Sequence, residues 1–195
     1  MFYQPIECDH TVKNPLICDD SNYNDFGFKE EDFIAGKIIS NWPEGIIFKA
    51  TEKLYDGTPD DVLQNADMIP IYSQRLKTAL EKLEIEGIQY LPIKVQGFDG
   101  TIYENFHIAN ITNVVNAFDY EKSIYRFFPE DFPNPNVRGN LTGIRKFVLK
   151  SFEINNCDIF RLAEYSRRFF VTDKIKKVFS KEKFSGYSFI KVDCS

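Results

Sequence analysis

Histidine, tryptophan and methionine are scarce in this chain, with two, one and two copies in 195 residues. Two histidines, His10 and His107, leave little material for imidazole catalysis or metal ligation. The four cysteines, Cys8, Cys18, Cys157 and Cys194, include no CxxC pair, which excludes zinc-ribbon and thioredoxin-type arrangements. No apolar run approaches the roughly 20 residues of a membrane span. The opening MFYQPIECDH has neither a basic start nor an apolar stretch, so a secretory leader is not expected. Reduced thiols and a cytoplasmic location follow as expectations. There is no GxGxxG, no GK[ST] phosphate loop and no GxSxG elbow, so the sequence signals for dinucleotides, nucleotide phosphates and α/β-hydrolase chemistry are all absent. Arginine is missing from the whole first third, the first being Arg75.

What the chain has in abundance is phenylalanine, 19 copies beside ten tyrosines. With 43% hydrophobic residues, a chain of this length can bury a core without disulfides or metal. Charge is unevenly distributed. Residues 1–70 carry nine Asp and five Glu against five Lys, net −9, whereas residues 71–195 are net +4. Phosphate binding needs Lys and Arg, so the acidic third is a poor nucleic-acid surface. It suits either solvated loops or a face turned towards a basic protein partner.

Residues 1–66 read as an irregular, turn-rich lobe. CDDSNYNDFG offers Asp, Ser and Asn for local backbone bonds, and Thr58 with Pro59 suggests a brief helical turn. Ile46, Ile47 and Phe48 suit a short strand. From residue 67 the pattern is firmer. Ser73 is placed to cap a helix whose Leu76, Leu80 and Leu83 form one stripe, with Gly87 closing it. Leu91, Ile93 and Val95 alternate with polar residues ahead of GFDG, and Ile102, Phe106 and Ile108 suit the return strand of a hairpin. Pro92 inside the first of these strands requires an edge or a bulge. PEDFPNPNVRGN is a loop. GIRKFVLKSFEI and RRFFVT are strand-like. Thr172 is placed to cap a helix bearing Ile175, Val178 and Phe179 on one face, and GYSFIKV makes a last strand. This order predicts a single α+β domain, with a largely antiparallel sheet and a few short helices, made of the acidic lobe 1–66 and a core over 67–195.

Candidate chemistry is sparse. Cys8, His10 and Cys18 match no zinc spacing. A nucleophile pair of Cys157 with His107 lacks any protease signature. The paired carboxylates Asp60–Asp61 and Glu30–Glu31 lie in polar turns, where nothing would raise their pKa for acid catalysis. Between Cys157 and Lys183 there are eight basic and four acidic residues, interleaved with aromatics, as in single-strand binders. Strand and helix geometry turns most of those aromatics inward, making a core wall with a basic outer face the favoured reading. A nucleic-acid site on Arg161, Arg167 and Arg168 stays as an alternative, as does a small-ligand or catalytic site near His107 and Cys157. No cofactor and no membrane contact are expected.

Certain motifs do carry a resemblance. Ser73, Arg75 and Leu76 open the first helix; Gln89 to Pro92 read QYLP; Asn110, Ile111, Ala117, Asp119 and Ser123 form N-I…A-x-D…S. Ile159 to Leu162 read IFRL; Val171 to Asp173 precede the second helix; Gly186 and Phe189 give a final G-x-x-F. Over residues 67–190 the chain resembles immunity protein family eleven, whose members are encoded beside bacterial polymorphic toxins. The resemblance implies binding and silencing of a cognate toxin domain by stoichiometric occlusion, with no catalytic residues. Two contact regions are expected on composition: the acids Asp56, Asp60 and Asp61, facing a basic toxin, and Phe127, Phe128 and Phe132 beside a proline-rich loop.

Overall fold

The structure is a computed structural model that describes residues 1–7, 14–55 and 57–195. Its first half contains β1 (Phe2–Glu7), β2 (Ile17–Cys18), β3 (Asp20–Ser21), α1 (Glu30–Ile34), β4 (Ile47–Lys49), β5 (Gln64–Asn65), β6 (Ile71–Ser73), α2 (Gln74–Lys82), β7 (Ile88–Gln96) and β8 (Ile102–Ile111). The second half contains β9 (Val114–Val115), β10 (Ile124–Phe127), β11 (Leu141–Lys146), β12 (Val148–Leu149), β13 (Ile159–Leu162), β14 (Phe169–Thr172), α3 (Asp173–Glu182) and β15 (Tyr187–Cys194). The α+β class expected from the sequence is the one observed. A five-stranded sheet runs β3-β4-β7-β8-β6, and a six-stranded sheet runs β12-β15-β1-β14-β13-β9. Pairing is mainly antiparallel, with parallel contacts at β4–β7, β12–β15, β9–β13 and, outside these two sheets, β2–β5.

The irregular lobe gives way to regular structure at its very start. Phe2–Glu7 is an interior strand, hydrogen-bonded to β15 along its length and to β14 at Phe2 and Tyr3. Its partners lie about 170 to 190 residues away, so no local pattern announces it. Pro5 sits beyond the last β14 pair, where a missing N–H costs no ladder bond. Residues 14–66 share their apolar cluster with the five-stranded sheet: Leu16, Phe33, Ile46, Phe48 and Leu63 pack against Ile71, Leu91, Val95 and Ile108. Thr58 makes no helical turn. Its N–H donates to the Asn14 carbonyl at 2.9 Å and its carbonyl accepts from Leu16 N at 3.0 Å.

Both helices lie where the apolar stripes predicted. Ser73 Oγ accepts from Leu76 N at 3.1 Å and caps α2. Gly87 does not close that helix. Lys82 ends it and Glu84 takes the left-handed turn, while Gly87 (φ +83°) lies just before β7 with the Asn113 side chain where a Cβ would stand. Thr172 precedes α3, but its hydroxyl donates to Asp158 Oδ1 at 2.6 Å instead of capping the helix. Pro92 is tolerated because β4 pairs with β7 only from Lys94 onwards. Its carbonyl points to the open side and accepts Trp42 Nε1 at 2.9 Å.

A second cluster fills the space between the sheets and helices: Tyr72, Leu76, Ala109 and Ile111 meet Tyr3, Ile159, Phe169, Val171, Ile175 and Phe179. A third covers the other face of the six-stranded sheet, with Phe118, Leu149, Phe160, Leu162, Phe170 and Val192. β13 and β14 are thus buried on both faces, which is why IFRL and RRFFVT read as runs rather than alternation.

One carboxylate ties these parts together. Asp61 accepts from Ser73 Oγ at 2.8 Å, Arg75 Nε at 3.0 Å and Ser185 N at 3.2 Å, and forms an ion pair with the second Arg75 nitrogen. Arg75 also donates to the Glu182 carbonyl and lies over the Phe184 ring. Gly186 follows at φ +97°, with the Val62 carbonyl 2.4 Å from where a Cβ would be, which accounts for glycine in the G-x-x-F motif. Asp61→Asn removes the charge from bonds that link the α2 N-terminus to the entry of β15. A loss of about 2 kcal/mol is expected in urea denaturation, the scale of hydrogen bonds to a charged group.

Candidate functional site

The residues that build an exposed aromatic feature begin at the A-x-D…S motif. The Ala117 carbonyl accepts from Lys150 N at 2.8 Å, and Asp119 N donates to the Val148 carbonyl at 2.9 Å. Asp119 Oδ1 accepts from Glu121 N and Lys122 N at 2.9 and 3.1 Å, turning the chain. Ser123 Oγ accepts from Val148 N at 3.0 Å. These bonds clamp the base of a two-stranded ribbon, β10 with β11, onto β12 at the rim of the six-stranded sheet. Two register irregularities in that pairing, flanking Tyr125–Arg126, bend the ribbon.

An aromatic ladder climbs from the core onto this ribbon. Buried Phe118 meets Tyr120 at 4.9 Å and Tyr125 at 5.5 Å between ring centroids, and Tyr125 meets Phe127 at 5.3 Å. The outer members stay exposed: Tyr120 at 42% and Phe127 at 49%. Such rings are stiff and lose little entropy on burial by a partner. Phe128 and Phe132 are half-buried against each other at 4.7 Å, within a loop that Arg138 Nε closes by donating to the Phe132 carbonyl at 2.7 Å.

Beside the ribbon lies a cationic groove of about 300 Å³, running between β11 and the β1–β15 pair. Arg145, Lys146, Arg168 and Lys191 line it, and among the described residues they face one acid, Asp193, which pairs with Lys146 at 2.9 Å. The basic excess of the second half of the sequence is therefore gathered beside the exposed aromatics. Tyr120, Tyr125, Arg145 and Lys191 escaped the sequence reading. Only the ribbon pairing brings them to Phe127, and the alternation of Tyr125 with Phe127 was the one signal available.

The acidic candidates lie elsewhere. Asp60 is 3% exposed and Asp61 is engaged in the tie described above, so neither presents a free carboxylate to a partner. Turn composition suggested solvent, but the polar run folds under β6 and the start of β15. Asp56, Cys8 and His10 lie outside the described residues. Cys18 is buried in β2, and burial pushes its thiol up to about 12. Among the described residues, no group of three or more His, Cys, Asp or Glu comes together as a metal site.

His107 and Cys157 pack in different places. His107, on β8, has Lys77 Nζ 3.5 Å from its Nε2 and the Tyr90 ring beside it. Cys157 packs against the Phe118–Phe160 cluster, and burial, helped by Asp158, raises its thiol pKa, the opposite of nucleophile activation. The three arginines also part. Arg161 is 1% exposed, its guanidinium donating to the Ser166 and Phe33 carbonyls at 2.7 and 3.2 Å. Arg167 pairs with Glu30 at 2.7 Å, and Arg168 is half-buried. A buried Arg161 cannot reach a phosphate backbone, which removes it from the nucleic-acid alternative.

A mixed α+β scaffold thus lifts exposed aromatics beside a cationic groove. The chain matches the model of the immunity protein family (Imm11) over residues 3–193 and belongs to that family. The match extends well before residue 67, where the motif resemblance began, and so includes the interior strand β1. No curated protein matches the chain. Among the described residues, no helix is long and apolar enough to cross a membrane.

Burial, followed by the Lys77 charge, lowers the His107 pKa to about 4. The folded protein thus keeps the imidazole neutral while the unfolded chain protonates near about pH 6.5. His107 contributes stability above that pH and loses it as pH falls towards 4. Chemical denaturation at pH 7.5 and 5.0 should show a larger drop for the wild type than for His107→Gln.

Proposed function

We propose that this protein binds a cognate toxin domain in the cytoplasm and neutralises it by stoichiometric occlusion, catalysing no reaction. Membership of an immunity family supports the partner class. The observation that carries the contact is the exposed Tyr120–Tyr125–Phe127 ladder standing beside an arginine- and lysine-lined groove. Tight inhibitory pairs concentrate energy in a few aromatic and arginine anchors, surrounded by a complementary charge field. Here the aromatic anchors are Tyr120 and Phe127, with Phe128 and Phe132 shaping the ribbon tip. The field is positive, so the matching toxin surface carries acidic residues around an apolar hollow. Occlusion of this kind covers about 800 Å² on each partner, so the contact takes in the groove together with the ribbon.

The test is co-expression and titration with the toxin domain encoded by the neighbouring reading frame. A one-to-one complex is expected on size-exclusion chromatography. Phe127→Asp should weaken binding at least about 30-fold, the scale of a hot-spot residue worth about 2 kcal/mol, while changing the melting temperature little because the ring is exposed. Arg145→Glu should slow association and flatten its salt dependence. Unchanged affinity and rescue in both variants would move the contact off this surface. Protection by substoichiometric amounts of the chain would replace occlusion with catalysis.

A further inference from the structure

β1 and β14 start as neighbours and then separate. Their antiparallel pairing covers Phe2–Thr172 and Tyr3–Val171 only, although β1 runs on to Glu7. Pro5, with no N–H to donate, stands where the ladder would continue. Extending the register would set Pro5 opposite Phe169, Ile6 opposite Arg168 and Glu7 opposite Arg167. Those six residues instead line a cavity of about 270 Å³.

Three guanidinium groups border this cavity. Arg161 reaches it from β13, with its Nε buried and without a hydrogen-bond partner. Arg168 forms no ion pair among the described residues, and Arg167 is neutralised by Glu30. Among the described residues, Glu7 is the carboxylic acid that lines the cavity, and it forms no ion pair with any of the three. A buried guanidinium with an idle donor, next to a second free one, leaves an excess of positive charge that water and carbonyl dipoles satisfy incompletely. The rest of the wall is mostly apolar, from Pro5, Ile6, Met68, Pro70 and Phe169, with the Tyr187 phenol beside them.

We propose that this cavity binds a small carboxylate with an apolar body, its head group held by Arg161 and Arg168 and its body against Phe169 and Met68. Arginine favours such a head because its planar fork matches two carboxylate oxygens. The site is separate from the aromatic ribbon, and Arg168 is the one residue it shares with the groove. Binding is coupled to Glu7. Burial raises this acid to about 7 despite the opposing pull of Arg168. Tyr187 from β15 and Tyr72 from β6 face it as neutral phenols, burial holding both above their ordinary range. Below pH 7 Glu7 is neutral and the cavity admits an anion. As pH rises through 7, its negative charge competes for the same arginines.

Benzoate, with benzamide as its uncharged counterpart, is a suitable probe for calorimetric titration of the full chain. Saturable one-to-one binding of benzoate is expected, at least tenfold tighter than benzamide and several-fold tighter at pH 6 than at pH 8. Arg168→Gln, a half-buried position that tolerates exchange, should weaken benzoate at least tenfold. Glu7→Gln should abolish the pH dependence while keeping affinity. No saturable binding, equal binding of benzoate and benzamide, or unchanged affinity in Arg168→Gln would each overturn the proposal. These readouts need no toxin, so they stand or fall apart from the occlusion reading.

Discussion

The structure depends on one constraint: the strands Ile159–Leu162 and Phe169–Thr172 carry large apolar side chains on both faces, so both faces must be covered. One face takes the two amphipathic helices and the five-stranded sheet. The other takes Phe118, Leu149 and the base of the ribbon. Neither cover is optional, because exposing Phe160 and Phe170 or Phe169 and Val171 would return several large side chains to water, each worth about 1.5–3 kcal/mol. The N-terminal strand completes the arrangement by slotting between β14 and β15, so the first residues of the chain help close the core that its last third builds.

The surface follows from this demand. The ribbon is anchored because its base must shield Phe160 and Phe170, and its inner aromatics are spent on that task. What remains outside is the upper part of the same ladder, held rigid by contact with Phe118. A patch of this kind stays available to a partner without costing order when it binds. The neighbouring groove gains its charge for a related reason. The interior strands place their aromatics inward; Arg168, just before β14, stays at the rim, whereas Arg161 within β13 is buried and bonded to carbonyls.

Interior charge is handled differently at two points. Asp61 is surrounded by donors from Ser73, Arg75 and Ser185, so its charge is paired and serves as a joint between α2, α3 and β15. Arg161 is satisfied at two nitrogens by carbonyls but not at the third, and Glu7 lies in the same cavity without pairing to it. The first pattern is structural. The second leaves chemistry unspent, which is characteristic of places where ligands bind.

Much of this was legible in the chain itself. The α+β class, both longer helices, the Ser73 cap, the β7–β8 hairpin and its GFDG turn, and the inward turn of the IFRL and RRFFVT aromatics all follow from local period and turn chemistry, which act over a few residues. The resemblance of residues 67–190 likewise rested on such motifs. Local pattern could not show that Phe2–Glu7 is an interior strand, that the acids of PDD fold inward, or that Thr172 would spend its hydroxyl on Asp158. Nor could it show that Tyr120, Phe127, Arg145 and Lys191 share one surface. The sequence determined which residues would leave water and with what periodicity. Only the tertiary structure decided which distant strands cover them, because hydrophobic burial is non-directional and pairing across about 170 to 190 residues is selected by the fit of whole faces rather than by any short stretch.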